Sequence, residues 1–564
     1  MKTKQLKLVA LVICYFLAIL NAFSQDQKKI TKTVTETDID AVFEQWKNSQ
    51  KPGLAVSIIK EGKVIYLKGY GSANMEYDIP ITPNTIFHAA SLSKQFTAFA
   101  ILLLEADGKL SLKDDIRKYV PEVPDFGNTI TLEQLASHTS GLRDQWGLLK
   151  MAGFRLDDVI TTNHILKLIE RQKELNFKPG DEDLYTNTGF TLLAEVVARV
   201  SGQSFAEFTK NRIFNPLGMD NTQFYEDHEK IVKNRAYSYH ESDNEFKKSV
   251  LSYATVGPTS LFITAKDFAK WALNFENPIV GSMAIIEKLN TQPKLNNGNV
   301  AGFALGQITG KYQGIKVFVH SGSDAGYKAY FVRVPEHKLS VIVLANTSSI
   351  DPVNQAFGIV NLYLKDYFKE IEKKNIFEPN PEKFISLSNL ELQEFEGDYW
   401  EPNEGYKRKI YIKNDTLMYF RSKQSESKLV PIDRNKFKML GDTEDVTVVF
   451  NKNKNHEPQL EFHVNEKPPL VMLRYTNVNL EPYNGGFYSE ELETYYRFKI
   501  KDGKLIAEHS RLEDIEFLPI QKDIFTSDNK NYKTLQFVRN ISNQIIGLTF
   551  SNERIRKLWF EKSK

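Results

Sequence analysis

The C-terminal part of the sequence contains an internal repeat, which restricts its fold more than any other feature does. Apolar and turn residues recur at a constant offset of 88 residues, for example from Leu392 to Leu480. Each copy alternates apolar and polar residues in short runs between turns, which is typical of antiparallel strands. One copy of about 85 residues has open sheet edges and a thin core. We therefore predict an antiparallel all-β, barrel-like domain over residues 391–564, in which repeats 392–475 and 480–561 close together.

The residues before the repeat change from strands to helices and back to strands. Residues 52–71 alternate as a strand hairpin, helical spacing dominates residues 91–275, and strands return over residues 315–344. A final helix is predicted over residues 352–373. These patterns predict one α/β domain whose sheet is built from both ends of the segment, with the helical part inserted and the final helix packed on the sheet.

The N-terminus has the composition of a secretion signal. Three lysines precede an apolar run at residues 8–20, and Ala22-Phe23-Ser24 has the small-x-small pattern of a cleavage site. The run is shorter than the about 20 residues of a membrane span. We expect cleavage, export to the periplasm or the cell exterior, and no stable membrane insertion; an uncleaved anchor is the alternative. The predicted division of the chain is a signal peptide (1–24), the α/β domain (25–375), a polar linker (376–390) and the all-β domain (391–564).

Composition excludes several classes of function. Cys14 is the only cysteine and lies in the predicted signal, so the mature protein is expected to have no disulfide, thiol nucleophile or thiolate metal site. Loss of Lys2, Lys4 and Lys7 changes the formal net charge from +2 to −1, which leaves no basic footprint for nucleic acid. No metal-ligand spacing or nucleotide-binding loop occurs. We therefore predict no cofactor, no metal and no nucleic-acid partner.

Ser91-Leu92-Ser93-Lys94 is the most informative short motif. It is one of four Ser-x-x-Lys matches, and it alone opens a long helical segment, predicted over residues 91–106. Positions i and i+3 are neighbours on a helix, so the Ser91 hydroxyl and the Lys94 amine can meet. The helix N-terminus favours a developing alkoxide. We predict Ser91 as a nucleophile and Lys94 as its base, with a simple helix cap as the alternative.

Tyr185-Thr186-Asn187 supplies groups that such a nucleophile needs. The Tyr185 phenol can relay or accept a proton beside Lys94, and the Asn187 carboxamide can bind the amide of an acyl group. Taken alone, a buried structural tyrosine is the alternative. A Ser-His-Asp triad through His138 is disfavoured, because nothing nearby in the sequence supplies an orienting partner.

His320-Ser321-Gly322 ends an alternating strand at a glycine, where a ligand backbone can approach closely. An acyl substrate could lie along this edge as an added strand. The backbone N–H of Ser323, paired with that of Ser91, would form an oxyanion hole. A structural histidine at a strand end is the alternative.

Taken in order, these motifs resemble the serine β-lactamase-like superfamily, in particular the branch of class C β-lactamases, DD-peptidases, D-aminopeptidases and esterases. The resemblance implies a three-layer α/β fold with a mostly helical subdomain and the active site between them. The C-terminal repeat resembles the lipocalin-like barrels that follow some of these peptidases. The segments that carry the main resemblance are residues 87–98, 135–142, 177–180, 185–190, 216–219 and 320–322.

By position, the resemblance makes Ser91 the acylated residue, Lys94 and Tyr185 the proton-transfer pair, Asn187 the amide ligand, and His320 with Ser323 the wall of the cleft. Class C β-lactamases usually carry lysine at the His320 position, so histidine here looks more like a DD-peptidase or D-aminopeptidase. Residues 256–261 also differ from the glycine pair that is common in these enzymes.

The predicted function is an exported serine hydrolase that acts through an acyl-enzyme on peptides with D-residues, such as cell-wall fragments. The alternatives are a β-lactamase, an esterase for small esters, or a non-catalytic protein that binds cell-wall peptides. The expected partner is a small peptide, ester or β-lactam. The sequence leaves open the natural acyl donor, the oligomeric state and the role of the C-terminal barrel.

Overall fold

The computed structural model describes residues 34–368, 376, 379, 383–402, 405–422, 425–465 and 467–563. The predicted signal peptide lies outside the described residues, as do residues 377, 378 and 380–382 of the predicted linker. Of the helices described, none is both long enough and apolar enough to cross a membrane.

Within its described residues, the first domain contains fourteen strands, of which seven form its main sheet. The order in this sheet is β10-β11-β12-β13-β14-β1-β2, and all its pairs are antiparallel. The strands are β1 (Leu54–Lys60), β2 (Lys63–Tyr70), β3 (Ser72–Asn74), β4 (Ile79–Pro80), β5 (Ile86–His88), β6 (Gln223–Phe224), β7 (Ser238–Ser242), β8 (Glu245–Ser249), β9 (Leu261–Thr264), β10 (Phe303–Ala304), β11 (Gln307–Tyr312), β12 (Ile315–Asp324), β13 (Tyr327–Val334) and β14 (Leu339–Ala345).

Because β1 pairs with β14 along its whole length, the sheet is built from both ends of the domain, as predicted. The predicted hairpin over residues 52–71 is also confirmed as β1 and β2. Short strands β6 to β9 interrupt the region that the sequence predicts as mainly helical. The helices are α1 (Glu36–Val42), α2 (Ser93–Ala106), α3 (Leu132–Ala136), α4 (Gln145–Met151), α5 (Thr162–Glu170), α6 (Thr188–Ser201), α7 (Phe205–Thr209), α8 (Ala265–Asn274), α9 (Met283–Leu289) and α10 (Pro352–Leu364).

Burial on both faces of the sheet produces three layers. Side chains of a strand alternate between faces, and in β1 Ala55 and Ile59 join the core shared with α2 and α8. Val56 and Ile58 join the opposite core, which α1 and α10 cover. The three-layer fold is therefore confirmed. The predicted final helix ends at Leu364, followed by a 3-10 turn, and the rest of the prediction lies outside the described residues.

The C-terminal region differs from the prediction that two repeats close together, because each repeat closes by itself. A short helix, α11 (Asn389–Gln393), precedes the first of two closed eight-stranded barrels. The first barrel contains β15 (Gly397–Glu401), β16 (Tyr406–Lys413), β17 (Thr416–Ser422), β18 (Ser425–Asp433), β19 (Lys436–Met439), β20 (Val446–Lys452), β21 (Pro458–Val464) and β22 (Leu470–Arg474). The second contains β23 (Gly485–Ser489), β24 (Thr494–Lys501), β25 (Lys504–His509), β26 (Leu512–Gln521), β27 (Ile524–Thr526), β28 (Thr534–Arg539), β29 (Ile545–Asn552) and β30 (Ile555–Lys562).

The strand pairs that close the two barrels are related by the same offset of 88 residues as the sequence repeat. Tyr399 pairs with Arg474 in the first barrel, and Phe487 pairs with Lys562 in the second. Eight strands enclose an interior that side chains can fill, and closure leaves no open edge. Each repeat has enough short strands to reach that number, which is why the prediction of one joint barrel was wrong.

The second barrel packs against the helical part of the first domain. The Tyr496 hydroxyl donates a hydrogen bond of 2.8 Å to the carbonyl oxygen of Met151 at the end of α4. Arg143 Nη1 lies 2.8 Å from Glu491 Oε2, and both side chains are buried, with 1% and 5% exposure. Apolar residues of this barrel belong to the same core cluster as α2. The barrel therefore contacts the side of the domain that carries the candidate nucleophile.

Candidate active site

Ser91 lies in a 3-10 turn, Ala90–Leu92, directly before α2, rather than in the first turn of an α-helix as predicted. Ala90 has a φ of +49°, in the left-handed region that side chains disfavour. The Ser93 hydroxyl fixes this backbone, because it donates to the Ala90 carbonyl oxygen at 2.6 Å and accepts from Leu261 N at 3.2 Å. Ser91 remains partly exposed, whereas residues 92–104 are buried.

Lys94 lies one turn after Ser91 and points back to it. Its Nζ donates to Ser91 Oγ at 3.1 Å, to Asn187 Oδ1 at 2.8 Å and to the Pro258 carbonyl oxygen at 2.9 Å. Burial lowers the pKa of Lys94 to about 7, against the opposing attraction of Asp144 and Asp324. A substantial fraction of neutral amine is then present at neutral pH, so Lys94 can accept a proton from Ser91.

Tyr185 completes this group of side chains. It shares a hydrogen bond with Ser91, and Lys94 Nζ lies 4.8 Å from the centre of its ring. Burial holds the pKa of Tyr185 well above its usual value, although the hydrogen bond with Ser91 and the charge of Arg554 oppose that shift. The phenol therefore stays protonated at neutral pH, and Lys94 is the better proton acceptor of the two.

His138 positions the Tyr185 loop. Its carbonyl oxygen accepts from Leu184 N at 2.8 Å, its Nδ1 accepts from Thr186 N at 3.1 Å, and its ring lies 4.4 Å from that of Tyr185. Burial keeps the pKa of His138 well below its usual value, so the ring is neutral. Because Nδ1 accepts a hydrogen bond from a backbone N–H, it cannot donate to a carboxylate as the histidine of a Ser-His-Asp triad does. The geometry therefore does not form the disfavoured triad.

Asn187 bridges Lys94 and a carboxylate. Its Oδ1 accepts from Lys94, while its Nδ2 and backbone N donate to Asp144 Oδ2 at 2.8 and 2.7 Å. Asp144 also caps α4 by accepting from Trp146 N at 3.1 Å. One amide hydrogen of Asn187 remains for a ligand. The sequence reasoning missed Asp144, although it follows the quoted segment 135–142 by only two residues.

The predicted strand wall lies beside the nucleophile turn. β11 pairs with residues 315–319 of β12, and within the described chain residues 320–324 pair with β13 alone. A Cβ placed on Gly322 would lie 2.3 Å from the Ala89 carbonyl oxygen, so only glycine allows β12 to approach this closely. The edge at Ser321 and Ser323 is exposed, as an added substrate strand requires.

His320 is buried in this wall and neutral. Burial and the charge of Lys94 lower its pKa to about 4. Its Nδ1 lies 2.7 Å from the Ser321 carbonyl oxygen, so Nδ1 carries the proton. Nε2 is then a buried acceptor without a hydrogen-bond partner among the described residues. Its ring lies 6.1 Å from that of Tyr185.

The structure thus brings together the predicted residues Ser91, Lys94, Tyr185 and Asn187 through direct contacts, with the wall formed by residues 320–323 alongside. The prediction missed the Pro258 carbonyl, which holds Lys94, and Arg554, whose Cζ lies 4.8 Å from the centre of the Tyr185 ring. No local signal in the sequence could have identified Arg554, because it comes from the second barrel. Within the described residues, no group of three or more His, Cys, Asp or Glu could hold a metal ion.

Comparisons with known proteins agree with this geometry. The profile of the Beta-lactamase family matches residues 39–360. A D-aminopeptidase of Gluconobacter oxydans is 28% identical over 306 residues, which are 54% of this chain and 58% of that protein. Penicillin-binding protein 4* of Bacillus subtilis is 28% identical over 310 residues, 52% of this chain and 68% of that protein. The chain therefore matches somewhat more than half the length of these relatives.

A solved structure gives a wider match. The octameric penicillin-binding protein homologue from Pyrococcus abyssi has a TM-score of 0.52 and 26% identity, and the match covers 78% of this chain and 100% of that one. The penicillin-binding protein from Bacillus halodurans has a TM-score of 0.51 and 25% identity, and covers 58% of this chain. Because the family profile spans more than half of the sequence, the chain belongs to the beta-lactamase family.

Proposed function

We propose that the protein is an exported serine hydrolase that forms an acyl-enzyme at Ser91 and acts on peptides containing D-residues. The observation that carries this proposal is the contact of 3.1 Å between Ser91 Oγ and Lys94 Nζ, together with the depressed pKa of that amine. A serine hydroxyl needs such a base to become a nucleophile at neutral pH.

In this mechanism Ser91 Oγ attacks the substrate carbonyl carbon and its proton passes to Lys94. The backbone N–H groups of Ser91 and Ser323 stabilise the oxyanion. As the intermediate collapses, the leaving amine takes a proton from the Tyr185 hydroxyl, and the Lys94 ammonium returns a proton to Tyr185. Water then attacks the acyl-enzyme along the same proton route, which releases the acid and restores Ser91.

Two observations support a D-peptide rather than a β-lactam as the natural substrate. The relative from Gluconobacter oxydans is a D-aminopeptidase. His320 is neutral above its pKa of about 4, so at this position the wall lacks the cation that class C β-lactamases provide for the drug's carboxylate. Export is proposed from the composition of residues 1–24.

The test is the intact mass of the protein after incubation with a penicillin, together with D- and L-alanine p-nitroanilide turnover. Ser91→Ala should abolish both an adduct and turnover. Ser425→Ala is the matched control, because Ser425 begins another Ser-x-x-Lys match but lies in the first barrel. Preference for the D-anilide supports the proposal. A stable penicillin adduct without anilide turnover would favour a DD-peptidase-like enzyme or a penicillin-binding protein, and reactivity that survives Ser91→Ala would refute the nucleophile.

A further inference from the structure

Two cations beside the candidate site have no role in the mechanism above. Lys150 lies on α4, and Arg554 lies in the two-residue turn between β29 and β30. Neither side chain is in a salt bridge within the described part of the chain. An unpaired cation near a cleft is available for an anionic ligand.

The turn that carries Arg554 is anchored to the first domain. The Arg554 carbonyl oxygen accepts from Asn176 Nδ2 at 2.9 Å. A Cβ on Gly147 of α4 would lie 2.6 Å from Ile555 Cδ1, so this helix and the turn are in close contact. Lys150 follows Gly147 by three residues and therefore projects from the same face of α4. Both cations thus lie at the contact between α4 and the second barrel.

The guanidinium lies over a residue of the site. Its Cζ is 4.8 Å from the centre of the Tyr185 ring, and Tyr185 shares a hydrogen bond with Ser91. A guanidinium that stacks on an aromatic ring keeps the N–H groups along its edge, which match the two oxygens of a carboxylate. A carboxylate held there would be close to the nucleophile.

Burial lowers the pKa of the Lys150 amine, and the carboxylates of Asp144 and Asp324 oppose that shift. Both carboxylates are also held by other groups. Asp144 is occupied by Asn187 and by the N-terminus of α4. Asp324 accepts a hydrogen bond from Thr259, and burial raises the pKa of its carboxyl. Within the described residues, the Arg554 guanidinium therefore lies beside Tyr185 without a carboxylate in salt-bridge contact with it.

We propose that Arg554 and Lys150 form a subsite for a carboxylate group of the substrate, with the second barrel supplying one of the two cations. This inference rests on the proposed acylation of Ser91. It identifies the substrate as a D-peptide with a free carboxylate near the bond that is cleaved. The barrel thereby acts in selection of the substrate and not only as a structural appendage.

The test compares diacetyl-L-lysyl-D-alanyl-D-alanine with its C-terminal amide as inhibitors of p-nitrophenyl acetate hydrolysis by the full chain. The inhibition constant of each peptide is measured, and the ratio of the amide value to the carboxylate value reports recognition of the carboxylate. We expect the parent to have a ratio well above one. Because a charge-assisted pair is lost, Arg554→Gln should lower the ratio about tenfold or more, and Lys150→Gln should lower it in the same direction.

Arg497→Gln is the matched control, since Arg497 is an exposed arginine of the same barrel that lies on β24. Its ratio should equal that of the parent. Equal inhibition by both peptides in the parent, no inhibition by either, or an unchanged ratio in Arg554→Gln would overturn the subsite. A parent protein that does not hydrolyse the ester through Ser91 would instead refute the proposed function.

Discussion

At the residue scale, the site depends on one amine that is held where its charge is unfavourable. Lys94 is buried and keeps three acceptors around Nζ, yet burial outweighs them and lowers its pKa to about 7. Its protonated form cannot accept a proton from Ser91. Below the pKa the amine is therefore inactive as a base, and above it the amine is active.

The loss of the basic form of Lys94 below its pKa predicts how the acylation rate depends on pH. The rate of Ser91 acylation by p-nitrophenyl acetate should rise about tenfold per pH unit below pH 7 and level off above it, measured by the burst of p-nitrophenol. Lys94→Arg, which stays charged, should lower the rate by a factor of about 10² to 10⁴. His320, with a pKa of about 4, should add no step above pH 5. A flat profile between pH 5.5 and 8.5 would exclude Lys94 as the base.

At the scale of elements, the site depends on how closely β12 approaches the turn that carries Ser91. Gly322 provides this approach, because a Cβ there would lie 2.3 Å from the backbone oxygen of Ala89. Main-chain oxygen atoms cannot move aside as a side chain can. Any larger residue must therefore displace either the strand or the nucleophile turn.

We expect Gly322→Ala to lower the free energy of unfolding by about 1–3 kcal/mol and acylation of Ser91 by at least about tenfold, because oxyanion donors must be placed within a fraction of an ångström. Urea unfolding and burst kinetics measure the two effects. Gly310→Ala, in β11, is the control, since nothing lies within 4 Å of a Cβ there. Normal acylation by Gly322→Ala would contradict the close approach.

At the scale of the whole molecule, the second barrel and the first domain share a buried ion pair and a continuous apolar core. Arg143 and Glu491 are 1% and 5% exposed, and Glu491 Oε2 also accepts from Lys173 N at 2.9 Å. Deletion of residues 391–564 would therefore expose core surface in addition to removing Arg554. Point variants therefore separate effects on stability from effects on substrate recognition more cleanly than this deletion does.

Glu491→Gln leaves the buried Arg143 with only the exposed Glu174 carboxylate, at 3.9 Å, as a counter-charge. We therefore expect the free energy of unfolding to fall by about 3 kcal/mol. Glu490→Gln is the matched control, because Glu490 and Lys173 form an exposed pair that contributes at most about 1 kcal/mol. Chemical denaturation of both variants provides the comparison. Equal losses of stability would show that the buried pair does not hold the barrel to the domain.

The sequence by itself determined the features that depend on local spacing. The i, i+3 relation joins Ser91 to Lys94, strand alternation predicts β1 and β2, and the 88-residue offset predicts two copies of one unit. The ordered motifs were enough to predict the family and its three-layer fold, because each motif is a short segment with its own chemical requirement.

Only the tertiary structure decided the contacts between residues far apart in the chain. Whether β15 would pair with β22 of its own copy or with the other copy depends on barrel closure, which the strand pattern does not encode. The approach of Arg554 to Tyr185 depends on how the second barrel packs on α4. Such contacts join surfaces, and a surface is assembled only when the chain has folded.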